Sequence, residues 1–296
     1  MDRNEGEHAQ AVRVRRVPRR GGTGRSRTAR SDRRGEPVST LDPITLQSAA
    51  DPVADPGTPH PLDNPALSSL TGPHRHFAER RGRILRYPVD VTPWTAHSDV
   101  PDAQDWADLA ALAGPGGTIS MNTLRVEPPK GWEILHRIAG VQLVDVSVVP
   151  EPEPEAVRLG PADVPEMLDL VARTRPGPFL PRTVELGTYL GIRRGGALVA
   201  MAGERLHPPG WTEISGVCTD ESVRGQGLAS RLVRAVAYGI RERGETPFLH
   251  TSAANTVAIR LYESLGFQLR ARPEFLAALA PVTLPPADGT RRPAPR

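Results

Sequence analysis

The chain has 296 residues and a single cysteine, Cys218, and its 32 prolines and 28 glycines favour short elements joined by many turns. One cysteine excludes an internal disulfide and, with no Cys or His partner at ligand spacing, argues against a zinc site. The formal net charge of +3 is unevenly placed, since residues 1–35 carry eleven arginines against four acidic residues and the rest of the chain is net acidic.

Residues 1–60 are rich in Arg, Gly, Ser, Thr and Pro and lack apolar periodicity. Such a segment buries too little apolar surface to offset its ordering entropy, so we predict a disordered Arg-rich tail. An Arg-rich arm attracts nucleic acid, but no aromatic residues interleave with these arginines, so a solvated extension is the favoured interpretation. The chain has no apolar stretch after the positive segment and no run of 18 apolar residues, which predicts a cytoplasmic protein without a membrane span.

Residues 61–150 have the periodicity of a small α+β lobe. Its predicted elements are strands at 83–87, 118–122 and 141–149 and a helix at 103–113 that begins near Asp102. His74 and His76 have no neighbours that complete a metal set, so we expect ordinary surface histidines. Residues 151–156, EPEPEA, are predicted to be a Pro-Glu linker.

Residues 157–280 predict a second, larger α+β domain with a mixed sheet, followed by a disordered tail at 281–296. Apolar periodicity and turn residues set its elements. In chain order they are a helix at 160–173, strands at 188–193 and 197–205 around a hairpin turn at 194–196, a strand at 211–219, a helix from 228 to Gly244, a strand at 247–251, a helix from Asn255 to Leu265 ended by Gly266, and a strand at 267–272.

Residues 223–229, VRGQGLA, place two glycines at the start of the helix that begins at 228. The first amides of a helix lack partners and its dipole is positive at that end, so this turn can bind an anion such as a pyrophosphate. A dinucleotide-binding fingerprint fits poorly, because the third glycine and the acidic residue after the next strand are absent. A purely structural turn before a packed helix stays open.

Two stretches resemble one family. Residues 224–229 resemble the Arg/Gln-x-x-Gly-x-Gly/Ala signature of the GNAT superfamily of acyl-CoA-dependent N-acetyltransferases, and residues 255–267, NTVAIRLYESLGF, resemble its Asn…Ala…Tyr…Leu-Gly-Phe element. The likeness covers roughly 155–275 and is greatest to the branch related to the C-terminal half of glycine N-acyltransferases. It implies a GNAT-like α+β fold, in which residues 61–150 would be a degenerate N-terminal half.

The resemblance also implies roles for individual residues. The loop amides would bind the CoA pyrophosphate, with Arg231 adding charge, and the pantetheine arm would pair with the preceding strand, whose amide polarises the thioester carbonyl. The implied acyl-CoA contacts are Val217, Thr219, Arg224, Gly225, Gln226, Gly227, Leu228, Ala229 and Asn255.

Tyr262 is the candidate acid that protonates the departing CoA thiolate. It lies seven residues after Asn255 on the same helical face, so one helix would hold both the cofactor arm and the acid. The alternative is a core tyrosine, because Leu261 and Leu265 complete an apolar stripe with it.

Glu213 is the first choice for the group that takes the amine's proton. By strand alternation it shares a face with Val217 and Thr219, while Cys218 points to the opposite face and is not proposed as a nucleophile. A solvated edge-strand glutamate is the alternative. Glu204 and His250 are weaker substitutes.

The sequence therefore predicts an enzyme that moves an acetyl or other short acyl group from acyl-CoA to a primary amine by direct attack, without a metal. Two alternatives remain: a non-catalytic acyl-CoA sensor, and a nucleic-acid-associated modifier guided by the Arg-rich tail, which ranks last. The amine acceptor and the oligomeric state cannot be read from the sequence.

Overall fold

The computed structural model describes residues 59–97, 100–123 and 126–283. The predicted tails lie outside these residues, apart from a few at their inner ends. A small sheet contains β1 (Glu79–Arg81), β2 (Ile84–Arg86) and β3 (Thr95–Ala96). The helices are α1 (Pro65–Thr71), α2 (Ala103–Ala113), α3 (Val164–Thr174), α4 (Leu228–Glu242) and α5 (Thr256–Leu265). The large sheet contains β4 (Thr118–Thr123), β5 (Glu133–Asp145), β6 (Val157–Leu159), β7 (Tyr189–Arg194), β8 (Ala197–Glu204), β9 (Trp211–Thr219), β10 (Thr246–Ser252), β11 (Phe267–Ala271) and β12 (Glu274–Leu279).

The large sheet is mixed. Its strand order is β4-β12-β5-β10-β9-β8-β7-β6, and β11 also pairs with β5. Strands β9 and β10 run parallel, whereas the other described ladders of this sheet are antiparallel. The predicted α+β fold with a mixed sheet is confirmed.

Strand β5 joins the two halves of the chain. Its first part pairs with β12, its second part pairs with β10 from Gly140 and with β11 from Gln142, and Leu143 therefore lies between Leu249 and Leu269. The predicted strand at 141–149 was therefore wrong in both bounds: it starts earlier because β12 extends the ladder, and it ends at Asp145, whose Oδ1 accepts the Val148 amide at 3.0 Å.

Helices pack on both faces of the sheet. Leu232, Val236 and Ile240 of α4 pack in one cluster with Ala200 and Ala202 of β8. On the opposite face, Met167 and Leu170 of α3 pack with Met201, which alternates with those alanines. Helix α3 starts four residues later than the prediction of 160–173, because a short 3-10 turn at 161–163 precedes it.

The N-terminal half packs its own helices around the small sheet. Asp102 and Asp105 form a capping box, which confirms the predicted start of α2. His74 is buried, with its Nδ1 3.0 Å from the Tyr87 hydroxyl, so the expectation of a surface histidine was wrong at that position. In the part of the chain that the structure describes, no helix has the length and apolar character needed to cross a bilayer.

Candidate active site

Strands β9 and β10 separate part of the way along their length. Their ladder runs from the pair Trp211 and Thr246 to the pair Ile214 and Leu249, although β9 continues for five further residues. A cavity of about 990 Å³ lies in the opening, lined by both strands, the loop after β9, and α4 and α5. The edge of β9 that faces β10 is therefore free of a neighbouring strand over residues 215–219.

A β-bulge interrupts β9 at the mouth of this opening. Met201 of β8 pairs with Cys218 of β9, and Gly203 of β8 pairs with Ser215 of β9. A separation of two residues on β8 therefore matches a separation of three residues on β9. Gly216 takes a φ of +63° at the bulge, a conformation that glycine adopts without strain.

The bulge reverses the alternation of side chains along β9. Val217 packs with the α4 cluster, whereas Cys218 packs with Met201 and lies on the face of Glu213. Our expectation that Glu213 shares a face with Val217 and Thr219, opposite Cys218, was therefore wrong. One inserted residue shifts every later side chain to the other face.

The loop before α4 has the geometry of an anion site. Gly225 and Gly227 have φ values of +79° and +73°, and a Cβ built on either would meet no protein atom within 4 Å. Gly227 is the N-cap of α4 and gives no side-chain hydrogen bond to the helix. The first amides of α4 thus lack side-chain capping partners, and the space in front of them belongs to the cavity.

The two arginines near this loop differ in their availability. Arg224 lines the cavity, and its Nε lies 3.4 Å from the Thr219 carbonyl oxygen. Arg231 makes a bidentate ion pair with Glu153, at 2.7 Å for both bonds, and also binds Glu155. Arg231 is therefore paired with the linker segment, whereas Arg224 lies at the cavity.

Helix α5 brings two predicted site residues to the opposite wall. The Asn255 side chain caps the helix by accepting the Ala258 amide at 3.2 Å, as predicted. Tyr262 is 7% exposed and lines the cavity, and its hydroxyl forms no hydrogen bond with the described residues. Burial, with a smaller contribution from Cys218, raises the pKa of Tyr262 to about 12, so the phenol keeps its proton at neutral pH.

Glu213 lies beneath the cavity wall and does not line it. Its carboxylate accepts hydrogen bonds from Arg205 Nη2 at 2.7 Å and Arg205 Nε at 2.9 Å, and from His250 Nδ1 at 2.7 Å. Burial alone would raise the pKa of Glu213, but the Arg205 charge and these hydrogen bonds outweigh it and lower the pKa well below its usual range. A fully buried carboxylate of this kind is a weak base.

The contacts of His250 define its tautomer. Gln142 donates through Nε2 to the Leu62 carbonyl at 2.9 Å and accepts from Arg270 through Oε1, so its orientation is fixed. The same Nε2 lies 3.0 Å from His250 Nε2, which must then act as an acceptor. The Nδ1–H of His250 therefore donates to Glu213.

Aromatic and apolar side chains form the wall beside this network. The Arg205 guanidinium lies 5.4 Å from the ring centroid of Trp94, whose ring is 5.9 Å from that of Phe275, and Phe275 is 6.1 Å from His250. Ile138 of β5 lines the same part of the cavity and is 40% exposed. We call Arg205, Trp94, Phe275 and Ile138 the Trp94 wall.

Sequence reasoning missed the Trp94 wall. Two of its members precede the linker, one follows α5, and Arg205 resembles any other arginine in a sequence with 37 basic residues. The local signal was the charged pair Glu204 and Arg205, which follows the otherwise apolar residues of β8.

Of the two weaker candidates for the base, His250 lines the cavity and Glu204 does not. Glu204 is buried and pairs with Arg243 at 3.0 Å, outside the lining of the cavity. Burial raises the pKa of the Cys218 thiol to about 11, which agrees with leaving it out as a nucleophile. Among the described residues, no three His, Cys, Asp or Glu side chains are arranged to hold a metal ion.

Comparison with known proteins gives the family. Residues 189–276 match the family model described as FR47-like protein. The chain is 37% identical over 83 residues to the N-alpha-acetyltransferase RimI of Mycobacterium tuberculosis, covering 27% of this chain and 51% of that protein, so it spans about half that relative's length. It is 31% identical over 245 residues to a mycothiol acetyltransferase of Thermobispora bispora, covering 70% of this chain and 74% of that protein.

A solved structure extends the match across both halves. A protein assigned to the GNAT acetyltransferases, from Novosphingobium aromaticivorans, is 39% identical, with a TM-score of 0.69, covering 74% of this chain and 98% of that one. This coverage is too large for the C-terminal half alone, so the N-terminal half is part of the likeness. The chain belongs to the GNAT family of acetyltransferases.

Proposed function

We propose that this protein is an N-acyltransferase, which moves an acetyl or other short acyl group from acyl-CoA to a primary amine by direct attack. The observation that carries the proposal is the opening between β9 and β10, which leads from an unpaired strand edge to the glycine turn at the start of α4. A strand edge and a helix N-terminus in one cavity suit a long polar arm that ends in phosphates.

The acyl-CoA is placed by backbone groups in this proposal. Its pyrophosphate lies against the amides of residues 224–229, where the positive end of α4 favours an anion. The pantetheine arm adds to the free edge of β9 near Val217 and Thr219. An amide at the bulge then polarises the thioester carbonyl, because the extra residue of a bulge lacks a ladder partner.

Tyr262 supplies the proton to the leaving thiolate. A free thiol has a pKa near ~8.5. The Tyr262 hydroxyl, with its pKa raised to about 12, is fully protonated at working pH and open to the cavity. As the C–S bond breaks, the phenol donates a proton to sulfur. The amine nitrogen loses a proton as the amide forms, and the phenolate regains this proton through solvent.

Glu213 is assigned a positioning role, which replaces the role of base that we predicted. Both carboxylate oxygens accept hydrogen bonds from Arg205 and His250, and its lowered pKa makes it a poor proton acceptor. No Asp or Glu occurs among the described residues that line the cavity. We infer that the amine attacks as its free base, since nearby guanidinium groups lower the pKa of a bound ammonium.

The test is release of free CoA thiol from acetyl-CoA in the presence of a panel of primary amines. Tyr262→Phe should lower kcat by about 100-fold while the Kd for acetyl-CoA stays unchanged. Tyr238→Phe is the matched control, because Tyr238 lies on α4 and is 37% exposed. Acetyl-CoA binding without turnover of any amine would instead favour the sensor alternative.

The finer predictions remain proposals. The relatives are named for different acceptors, an N-alpha-acetyltransferase and a mycothiol acetyltransferase, so their names do not give the acceptor of this chain. Membership of the glycine N-acyltransferase branch, acetyl as the preferred group and a cytoplasmic, bacterial setting likewise stay predictions.

A further inference from the structure

Arg205 is a buried cation, and one nitrogen of its guanidinium, Nη1, is unpaired among the described residues. Its side chain is 8% exposed, and its Nε and Nη2 both donate to Glu213. Its Nη1 has no hydrogen-bond partner among the described residues, although Arg205 lines the cavity. Glu213 is fully buried behind it, so the group that the cavity meets is the guanidinium.

This charge is far from the proposed pyrophosphate site. Arg205 binds Glu213, which stands six residues before Thr219 on β9. At about 3.3 Å per residue, that separation is roughly 20 Å along the strand. The glycine turn lies beyond Thr219, so one arginine cannot serve the CoA phosphates and the Glu213 end of the cavity at once.

The rest of the Trp94 wall is apolar. Trp94 and Phe275 present adjacent rings, and Gly140 makes room for the Phe275 ring, since a Cβ there would lie 2.7 Å from it. Ile138 extends this surface along β5. An acceptor with a flat or bulky apolar group can bury it here, at about 25 cal/mol for each Å² removed from water.

The charges around the cavity disfavour a polycationic acceptor. Arg175, Arg205 and Arg224 line it, and the described lining contains no carboxylate to bind a second ammonium group. Arg175 also has a φ of +51°, the one positive φ of a non-glycine residue in the described ranges, and residues 175–178 all line the cavity.

We propose that the acceptor is an amino acid with an aromatic or large apolar side chain, whose free carboxylate binds the open edge of Arg205. The inference rests on the proposed acyl transfer and names its substrate class. The carboxylate binds Nη1 of Arg205, the side chain packs on Trp94 and Phe275, and the amine then points toward the middle of β9, where the thioester lies.

The test compares three acceptors with the full chain at saturating acetyl-CoA, with rates corrected to the concentration of free-base amine. L-Phenylalanine has both groups, L-phenylalaninamide replaces the carboxylate with a neutral amide, and glycine lacks the apolar group. We expect kcat/KM for L-phenylalanine to exceed that of either analogue at least tenfold. Equal or higher values for the amide would overturn the proposal and would fit the N-terminus of a peptide instead.

Two variants test which side chains cause the preference for L-phenylalanine. The double variant Arg205→Gln with Glu213→Gln removes both charges together and leaves none buried without a partner. It should bring the acid-to-amide ratio close to one without changing the Kd for acetyl-CoA. Trp94→Leu should reduce the preference for L-phenylalanine over glycine. An unchanged ratio in the double variant also refutes the role of Arg205.

The two proposals fail in different ways. If acetyl-CoA is consumed with other amines but the carboxylate confers no advantage, the acceptor class is wrong and the acyl transfer stands. If acetyl-CoA binds and no amine is acylated, the proposed function and this inference are both refuted.

Discussion

The glycine turn before α4 allows a sharp test, because a matched glycine stands at the other end of the same helix. Gly227 has a φ of +73° and Gly244 a φ of +76°, and a Cβ on either would meet no atom within 4 Å. Gly227 lines the cavity, whereas Gly244 does not. Changing each to alanine therefore adds the same strain, but only Gly227→Ala places a methyl group where the pyrophosphate would bind.

The magnitudes follow from the backbone geometry. A side chain in the left-handed region costs roughly 1–2 kcal/mol. For a chain of this size that corresponds to a fall in Tm of roughly 2–8 °C, which both variants should share. Each charge-assisted hydrogen bond lost to the phosphates is worth about 1.5–3 kcal/mol, so Gly227→Ala should weaken acetyl-CoA binding about 10- to 100-fold.

Calorimetric titration of acetyl-CoA and thermal unfolding of both variants would measure these effects. Gly244→Ala should bind like the wild type despite its lower Tm. If Gly227→Ala binds acetyl-CoA as tightly as Gly244→Ala does, the loop does not hold the pyrophosphate and the turn serves only to start the helix.

Three further predictions concern the buried charges and the join between the halves. Glu213→Gln leaves the Arg205 guanidinium buried without a counter-charge and should destabilise the protein by roughly 3–5 kcal/mol. A variant that keeps its Tm but loses the acidic limb of the pH–rate profile would restore Glu213 as the base. Burial, with the nearby charges of His207 and His76, lowers the pKa of His74 from 6.5 to about 4. As the pH falls, the unfolded chain therefore binds a proton at this site before the folded chain does. The free energy of unfolding should be constant above pH ~6.5 and fall by roughly 3 kcal/mol towards pH ~4. Urea titrations of the wild type and His74→Asn would measure this, and an equal pH dependence in both proteins would contradict it. A fragment of residues 157–280 lacks β5, the partner of β10, β11 and β12. This fragment should show no cooperative unfolding transition, and a folded fragment that binds acetyl-CoA would refute the prediction.

Local signals in the sequence predicted the elements around the glycine turn well. Strand β9 has the bounds that alternation gave, and Asn255 and Gly266 bound α5 as their capping chemistry requires. The hairpin turn also has the expected form, because Gly195 and Gly196 both have positive φ. These features depend on neighbouring residues, which a sequence displays directly.

The remaining features depend on distant residues. The bulge at Gly216 reversed the side chains beyond it, and alternation within β9 does not show that its single glycine opens a bulge against β8. The pairing of Glu213 with Arg205 follows from the turn between β8 and β9, and it converted a predicted base into a buried ion pair. The insertion of β5 beside β10 joins segments about 100 residues apart, a contact that periodicity cannot reveal.

A crystal structure of the full chain with bound CoA would show directly whether the opening between β9 and β10 is the cofactor site. We expect the pyrophosphate on the amides of residues 224–229, the pantetheine arm along the free edge of β9, and the sulfur within hydrogen-bond reach of the Tyr262 hydroxyl. CoA bound outside the opening between β9 and β10, or with its sulfur away from Tyr262, would contradict this expectation.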